Sequence, residues 1–371
     1  MAISLEEYKR RFEGDSYYYG NASHAIHDIL TWLQKYNARK KPNVVLPVYI
    51  PAKMYRMVLS AGYVPKFYQV FDNCQIDLAE IDSLIDEQTN AVIGIHYFGR
   101  PAPVKALHSL ADKKDVFFIE DCAHVLLSKL DEKELGSFGD CAVFSMRKML
   151  MTPAGGLLIL RNHFTPFHPT YSKSVNSLYT LNGLAKTRIK HRLLKLTKGW
   201  DPVGLSHIPK VGLFNPNEQH HFNIKKASKL NIWYSNYINL EEVALKRRAN
   251  FKYLQNQLSD LSIVRPMSLE GYSDITPYSF PILIPERLRD VLQKELLMLG
   301  IPCGKGWPES PFGFNCFAGT ADLSQRILEL PIHQGMNKHQ LRRITDVLYE
   351  YEAETLKNVW PQYSRNQFAL K

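Results

Sequence analysis

The chain has 371 residues, of which 45% are hydrophobic and 12% aromatic, enough for a large core and two predicted domains. It contains no run of eighteen apolar residues, so no transmembrane helix is expected, and its polar N-terminus lacks the apolar core of a signal peptide. We therefore expect a cytoplasmic protein. The five cysteines are scattered and form no CxxC pair, which predicts reduced packing thiols and no metal site.

The charge is positive and unevenly spread. The formal net charge is +10, and no acidic residue occurs between Cys141 and Trp200. Such a positive field favours anionic partners, namely phosphorylated small molecules, a membrane surface or nucleic acid. We expect no nucleic-acid binding, because the chain has neither a recognised motif nor a basic stripe interleaved with aromatic residues.

The first half of the chain alternates between helix-like segments and short apolar runs. The earliest helix is predicted near Ser23, and a later one at Asp77 carries a capping signature with Glu80. Buried strands are predicted at Val44–Tyr49, Val64–Val70, Ala91–His96, Val116–Ile119 and Cys141–Ser145. Helices are predicted at Pro51–Gly62, Leu78–Asp86 and Val104–Lys113. This order predicts a parallel sheet covered on both faces, with functional residues at the C-terminal ends of its strands.

The second half has a different organisation. Residues from about 163 to 221 are rich in Pro, Tyr and Lys and are interpreted as a basic insertion. A long helix is predicted at Ile224–Leu258, followed by a strand at Tyr278–Ile284 and helices at Glu286–Gly300 and Lys338–Lys357. We therefore predict a large domain over residues 1–250 and a small C-terminal domain over residues 251–371.

Three side chains near the predicted sheet edge suggest chemistry. Asp121 ends one buried strand, His124 follows three residues later, and Lys148 follows the next strand. A carboxylate, a flat ring and an amine at one edge suit pyridoxal phosphate (PLP): the lysine forms the Schiff base, the acid keeps the pyridine nitrogen protonated, and the imidazole stacks on the ring. Each residue alone is more often structural, as a helix cap or ion pair, a satisfied histidine or a solvated lysine.

Several motifs together resemble the DegT/DnrJ-type (StrS-like) sugar aminotransferases, which are fold-type-I PLP enzymes. Ile119–His124 resembles the family's x-E-D-x-A-Q/H signature, and Gly136–Asp140 its G-x-x-G-D. The remaining similar segments are Ala22–Ile26, Val92–Gly99, Thr152–Gly156 and Leu330–Gln334. The resemblance implies an α/β fold with a mostly parallel central sheet in the large domain and a smaller C-terminal α+β domain.

The resemblance also implies roles for individual residues. Lys148 would bond to the cofactor and move the proton, Asp121 would pair with the pyridine nitrogen, and His124 would stack on the ring. The cofactor phosphate would be held by the hydroxyl of Ser145 and by free backbone N–H groups at the start of the helix, at Ser23 and His24, as helix N-termini bind anions. Asn223 would reach the phosphate across a homodimer interface; as an alternative, it is a simple helix cap.

This chain departs from the family pattern at several positions. Two residues separate Ser145 from Lys148, where many members have four, which puts the role of the serine in doubt. Ala154 replaces the usual acid before Gly-Gly, Ala22 stands where glycine is usual, and Lys225 stands where arginine is frequent. These changes indicate a divergent branch, whose acceptor sugar cannot be inferred from better-known members.

The expected activity is transfer of an amino group from an amino acid, with glutamate expected, to a keto-sugar, with a nucleotide as the expected carrier. A PLP-dependent deoxysugar dehydratase is disfavoured, because in that branch histidine replaces the lysine that is retained here as Lys148. A non-catalytic sensor or membrane-surface module is a further alternative, in which the basic segment Leu184–Lys198 forms an amphipathic helix. The same basic stretch, from Lys173 to Lys198, could instead favour the diphosphate of a sugar carrier near the mouth of the site.

Overall fold

A computed structural model describes residues 2–164, 166–185, 223–267, 274–307 and 316–358. In these ranges no helix combines the length and the apolar composition that a membrane span requires. Residues 186–222 contain most of the predicted basic insertion, including the greater part of Leu184–Lys198, and lie outside the described residues.

The large part of the fold is built on one nine-stranded sheet. Its strands are β1 (Asp15–Tyr19), β2 (Asn43–Pro47), β3 (Val64–Tyr68), β4 (Thr89–Ile95), β5 (Phe117–Cys122), β8 (Cys141–Phe144), β9 (Gly156–Leu160), β10 (Lys173–Ser174) and β11 (Lys225–Lys226), with a small hairpin of β6 (Lys129–Leu130) and β7 (Lys133–Glu134) between β5 and β8. The spatial order is β10-β11-β1-β9-β8-β5-β4-β2-β3. From β8 to β3 all pairs are parallel, which confirms the predicted mostly parallel sheet.

Helices cover both faces of this sheet. They are α1 (Leu5–Lys9), α2 (Ala22–Tyr36), α3 (Ala52–Ser60), α4 (Leu78–Leu84), α5 (Val104–Lys114) and the single turn α6 (Met146–Met149). The predicted apolar face of α2 is buried at Ile26, Ile29, Leu30 and Leu33. Two apolar clusters therefore lie on opposite sides of the strands, as expected for strands that are hydrophobic on both faces.

The sequence pattern missed the antiparallel half of the sheet. Strand β9 runs antiparallel to β8, and β1 runs antiparallel to β9 with a register from Asp15 opposite Leu160 to Tyr19 opposite Gly156. The capping prediction at Asp77 was half right. Asp77 caps α4 by accepting from the backbone N–H of Ala79, but the Glu80 carboxylate accepts from the N–H of Gln69 instead of closing a capping box.

The predicted long helix is interrupted. A helical segment, α7, covers residues 177–185. Lys225–Lys226 later form β11, and two helices follow it, α8 (Lys229–Tyr237) and α9 (Leu240–Leu258). The break occurs because Asn239 adopts extended backbone and caps α9, accepting from the N–H of Glu241. Capping residues compete with a continuous helix, and the apolar periodicity alone did not reveal this.

The C-terminal part has its own sheet and core. The antiparallel strands β12 (Arg265–Pro266), β13 (Phe280–Leu283) and β14 (Ile327–Leu330) are covered by α10 (Glu286–Met298) and α12 (Lys338–Asn358). Helix α11 (Ala318–Arg326) packs beside α10, and its Leu323 joins the core of the large part. Helix α9 belongs to both parts: Leu240 and Val243 pack on the large sheet, while Leu254 and Leu258 pack in the C-terminal core. A division after residue 250 falls inside this helix and stays a prediction.

Candidate active site

The C-terminal ends of the parallel strands open into one cavity of about 940 Å³. Ligand sites of α/β sheets lie at this edge. All seven side chains singled out from the sequence contribute to its wall: Ser23, His24, Asp121, His124, Ser145, Lys148 and Asn223. The structure thus brings together residues from α2, β5, α6 and the segment before β11.

Lys148 and His124 form a directly bonded pair. The Lys148 Nζ atom lies 2.8 Å from Nε2 of His124, while Nδ1 of the same ring accepts the backbone N–H of Phe98 at 3.1 Å. Because Nδ1 is an acceptor, the proton of the imidazole belongs on Nε2. That N–H must then donate to the amine, so this geometry requires a neutral Lys148.

The surroundings of the pair favour the same protonation state. Burial lowers the pKa of the Lys148 amine, an effect that Asp121 and Glu329 oppose and Arg147 reinforces. Burial also lowers the pKa of His124 far below its ordinary value, with Lys148 and Arg247 adding to the effect. The Tyr278 ring covers the imidazole at 4.1 Å with an interplanar angle of 7°. Stacking on a cofactor would therefore use the opposite face of the imidazole.

Asp121 and Glu120 are neighbours on β5 with opposite environments. Burial raises the pKa of Asp121, and the hydrogen bond from the backbone N–H of Ala123 offsets this only in part. Burial alone would also raise the pKa of Glu120, but hydrogen bonds outweigh it and the pKa lies below its ordinary value. Successive strand residues point to opposite faces, so only Asp121 faces the cavity.

Glu120 holds the loop that leads into β8. Its carboxylate accepts the backbone N–H groups of Gly136, Phe138 and Gly139 and the Nε2–H of His96. His96, Glu120 and Cys122 lie close enough to suggest a metal site. However, Nδ1 of His96 accepts the N–H of Ala102, so both ring nitrogens and the carboxylate are already bonded. This cluster is a hydrogen-bonded network that fixes the strand ends.

The N-terminus of α2 forms another wall, and here the structure corrects the sequence interpretation. The backbone N–H of His24 is not available to a phosphate, because it donates to Asn21, which caps the helix. The N–H groups that the helix offers ahead of His24 are those of Ala22 and Ser23. Burial, with Lys53 and Lys225 nearby, lowers the pKa of His24 to about 4, so its imidazole is neutral at pH 7.

The sequence left the roles of Ser145 and Asn223 open. Ser145 is buried at the N-terminus of α6, and its carbonyl accepts the N–H of Lys148 at 3.2 Å. The short spacing is therefore one helical turn, with both residues on the cavity wall. Asn223 lines the cavity of its own chain and contacts Ser172. The predicted reach of Asn223 across a dimer interface stays a prediction.

Several residues of the cavity wall were given no role by the sequence interpretation. The cavity wall includes the cations Lys53, Arg147 and Lys225 and the aromatic ring of Trp307. The Trp307 ring is parallel to that of His124, with centroids 6.0 Å apart. Arg147 had a signal, since it directly precedes Lys148. Lys53 and Trp307 come from elements distant in sequence, and only the fold brings them here.

Comparison with known proteins identifies the family. The model of the DegT/DnrJ/EryC1/StrS aminotransferase family matches residues 5–165. The UDP-N-acetyl-3-dehydro-alpha-D-glucosamine 3-aminotransferase of Acidithiobacillus ferrooxidans is 33% identical over 317 residues, which cover 82% of this chain and 76% of that protein. The chain belongs to the DegT/DnrJ/EryC1/StrS aminotransferase family.

Other relatives align over shorter stretches. The UDP-4-amino-4,6-dideoxy-N-acetyl-beta-L-altrosamine transaminase of Helicobacter pylori is 27% identical over 143 residues, 38% of this chain and 38% of that protein. In this and three further alignments the chain spans between 24% and 38% of the relative's length. The solved structure of Helicobacter pylori PseC superposes over 95% of this chain and 93% of that chain with a TM-score of 0.68 at 16% identity, which confirms the predicted fold class.

We predict that Glu120→Gln destabilises the protein without changing any side chain that lines the cavity. Removing one partner of a buried ionic network leaves donors unpaired, so the free energy of unfolding should fall by about 3 kcal/mol at pH 7. Urea denaturation measures this, with Glu132→Gln as the control because the Glu132 side chain is 88% exposed. Equal urea midpoints for the two variants would contradict the assigned role.

The pH dependence of this effect follows from the lowered pKa of Glu120. The carboxylate stabilises the fold fully above its unfolded pKa of about 4.3, and this contribution is lost as the pH falls through the lower folded value. The difference in free energy of unfolding between wild type and Glu120→Gln should therefore become smaller in urea titrations at increasingly acidic pH.

Proposed function

We propose that the protein is a PLP-dependent aminotransferase that moves an amino group from an amino acid to a keto-sugar carried on a nucleotide. The observation that carries the proposal is the buried Lys148 amine, held 2.8 Å from His124 in a cavity that also contains Asp121. Desolvating a lysine costs free energy unless the neutral amine is used. Perturbed groups of this kind concentrate at reactive sites.

The donor groups of the cavity fit the cofactor. The α2 N-terminus, with Ser23, and Ser145 provide N–H and hydroxyl donors for a phosphate. The Asp121 carboxylate accepts only one hydrogen bond among the described residues, and burial raises its pKa. A protonated pyridine nitrogen is the kind of partner that this carboxylate would favour.

Bound PLP would supply an electron sink conjugated with the nitrogen of the substrate. Lys148 would hold the cofactor through its amine, and the same side chain would move a proton to and from the Cα atom of the donor amino acid. His124 holds that amine in place through its Nε2–H. Asp121 would hold a proton on the pyridine nitrogen. The aromatic side chains Tyr278 and Trp307 exclude water around the pair.

The acceptor is proposed from charge and from the names of relatives. Lys53, Arg147 and Lys225 stand on the cavity wall, against the single acid Asp121 among the described lining residues. Such a wall favours a substrate with a diphosphate. The named relatives include transaminases of UDP-linked sugars, and glutamate is the proposed amino donor.

The alternatives are less well supported. Dehydration is disfavoured because Lys148 is retained and is placed against His124. A non-catalytic module does not account for a neutral buried amine facing a carboxylate. The proposed membrane-binding helix lies largely in residues outside the described ranges.

We predict that Lys148 alone carries the cofactor. Purified protein should be yellow with PLP, and borohydride should fix a pyridoxyl group on the peptide that contains Lys148. Lys148→Arg should abolish the adduct, while Lys53→Met, which removes another lysine of the same cavity, should leave it on Lys148. Peptide mass spectrometry locates the adduct, and finding it on any other lysine would overturn the assignment.

Turnover is tested by incubating the protein with glutamate and a panel of nucleotide-linked keto-sugars, with product mass as the readout. Aminated sugar should form with wild type and not with Lys148→Arg. Aminated product from Lys148→Arg, or none with any member of the panel, would count against the proposed reaction.

Asp121→Asn should slow the half-reaction with glutamate by at least roughly 100-fold, because the pyridine nitrogen loses the carboxylate that keeps it protonated. Stopped-flow absorbance of the cofactor measures the rate. Asp131→Asn, at an exposed turn, is the matched control and should behave as wild type. A rate for Asp121→Asn within about threefold of wild type would assign this role to another group.

We also propose a homodimer in which a second copy covers α7. This helix exposes Leu178, Tyr179 and Leu181, whose exposed fractions are 65%, 60% and 53%, and Tyr179 lines the cavity. A second copy at this surface would bury the apolar side chains and close the open side of the site.

The dimer prediction is tested by analytical ultracentrifugation. Leu178→Asp combined with Leu181→Asp should convert the dimer to monomer, because charge placed in an apolar interface is costly. Leu245→Asp replaces an equally exposed leucine on α9 and should leave the dimer intact. A wild-type monomer with full activity would end the proposal.

A further inference from the structure

Arg247 on α9 is a buried cation without an acidic partner. Its side chain is 1% exposed and is the largest of the fully buried side chains in the described residues. No carboxylate of the described chain forms an ion pair with it. Burial lowers the pKa of its guanidinium to about 10, so the group remains charged at pH 7. A buried charge of this kind persists only where its donors are fully bonded.

The guanidinium has five N–H donors, and the structure provides five acceptors. Nε donates to Oε1 of Gln334 at 3.1 Å. One terminal nitrogen donates to the carbonyls of Pro277 and Tyr278 at 3.4 and 2.7 Å. The other donates to the carbonyls of Lys148 and Met149 at 3.4 and 3.3 Å. The planar fork of arginine suits this arrangement, whereas lysine has only three donors around one atom.

These acceptors connect the reactive lysine with the C-terminal part of the chain. Lys148 and Met149 end α6, a helix of four residues whose terminal carbonyls have no further turn to bond to. A cation at this end also complements the partial negative charge of the helix. Gln334 supports the same end, because its amide donates to the carbonyl of Met149 at 3.3 Å.

The hydrogen bonds of Arg247 also complete a ring of contacts that includes Lys148 and His124. The guanidinium holds the backbone of Lys148, and the Nζ atom of Lys148 contacts His124. His124 stacks on Tyr278, whose carbonyl returns to Arg247. We propose that Arg247 is the positioning residue that keeps the Lys148 amine within hydrogen-bond distance of His124 and ties this pair to the C-terminal part of the fold.

This inference rests on the proposed function, because it assigns Arg247 a role through Lys148. The charged and titratable groups that face Lys148 are Asp121 on β5, His124 after it, Glu329 on β14, Arg147 on the same helix, and Arg247 itself. Without Arg247, the carbonyls at the end of α6 lose the hydrogen bonds that hold them. The Lys148 amine then moves away from the Nε2–H of His124, the contact that requires the amine to be neutral. The amine then binds a proton more readily.

The test measures Lys148 directly in the protein without cofactor. Competitive labelling with acetic anhydride across a pH series, quantified on the Lys148 peptide, reports the midpoint at which the amine becomes reactive. Arg247→Met should raise this midpoint by roughly one pH unit and lower kcat with glutamate about 100-fold, as expected for a misplaced reactive group, with a smaller change in KM. Thermal unfolding monitors the fold.

Arg248→Met is the matched control. Arg248 is the next residue on α9 and also donates to backbone carbonyls, those of Leu127, Asp274 and Ile275, but it does not touch Lys148 or Tyr278. This variant should keep the wild-type midpoint and kcat. If Arg247→Met shifts neither quantity more than Arg248→Met does, Arg247 has only a structural role and the proposal fails.

Arg247→Lys separates position from charge and serves if the methionine variant does not fold. It retains the cation but cannot reach all five acceptors, so it should reproduce most of the change in midpoint and kcat. Wild-type values in Arg247→Lys would overturn the positional role. Because labelling needs no substrate, a failure to aminate any keto-sugar would refute the proposed function without affecting this result.

Discussion

The site depends on one constraint, a lysine amine that must be neutral while buried. The hydrogen bond between Lys148 and His124 enforces this, because Nδ1 of the imidazole is occupied by a backbone N–H and the remaining ring proton must point at the amine. Burial lowers the pKa of both groups in the same direction. The geometry of the pair therefore favours an uncharged amine, which is the form of lysine that can act as a nucleophile and accept a proton.

The rest of the fold keeps that pair in position. The parallel strands β5 and β8 deliver Asp121 and Lys148 to the same edge, and the network of Glu120 fixes the loop between these strands. Helix α9 then crosses from the large sheet to the C-terminal core and brings Arg247 against the back of α6. The C-terminal part thus contributes through backbone carbonyls and through Tyr278, contacts that side-chain motifs do not reveal.

The sequence predicted the parallel half of the sheet and the convergence of Asp121, His124 and Lys148 on one edge of it, because both follow from local patterns. Apolar runs with intervening helices indicate parallel strands, and the order of Asp121, His124 and Lys148 places them at strand ends. It failed where the determining interaction is not local. The antiparallel pairing of β1 with β9 joins residues far apart in sequence, and the Asn239 cap interrupts an otherwise continuous helical pattern. Lys53, Trp307 and Arg247 likewise reach the site only through tertiary packing.

The adjacent acids Glu120 and Asp121 show how one strand can serve structure and chemistry together. The pleat sends them to opposite faces. Glu120 accepts hydrogen bonds from three backbone N–H groups and from His96, so its negative charge is compensated within the protein. The Asp121 carboxylate meets one backbone donor, and burial leaves its pKa raised. Because the fold stabilises this carboxylate incompletely, it can still pair with a cationic group. It lies on the cavity wall, so that group would belong to a ligand.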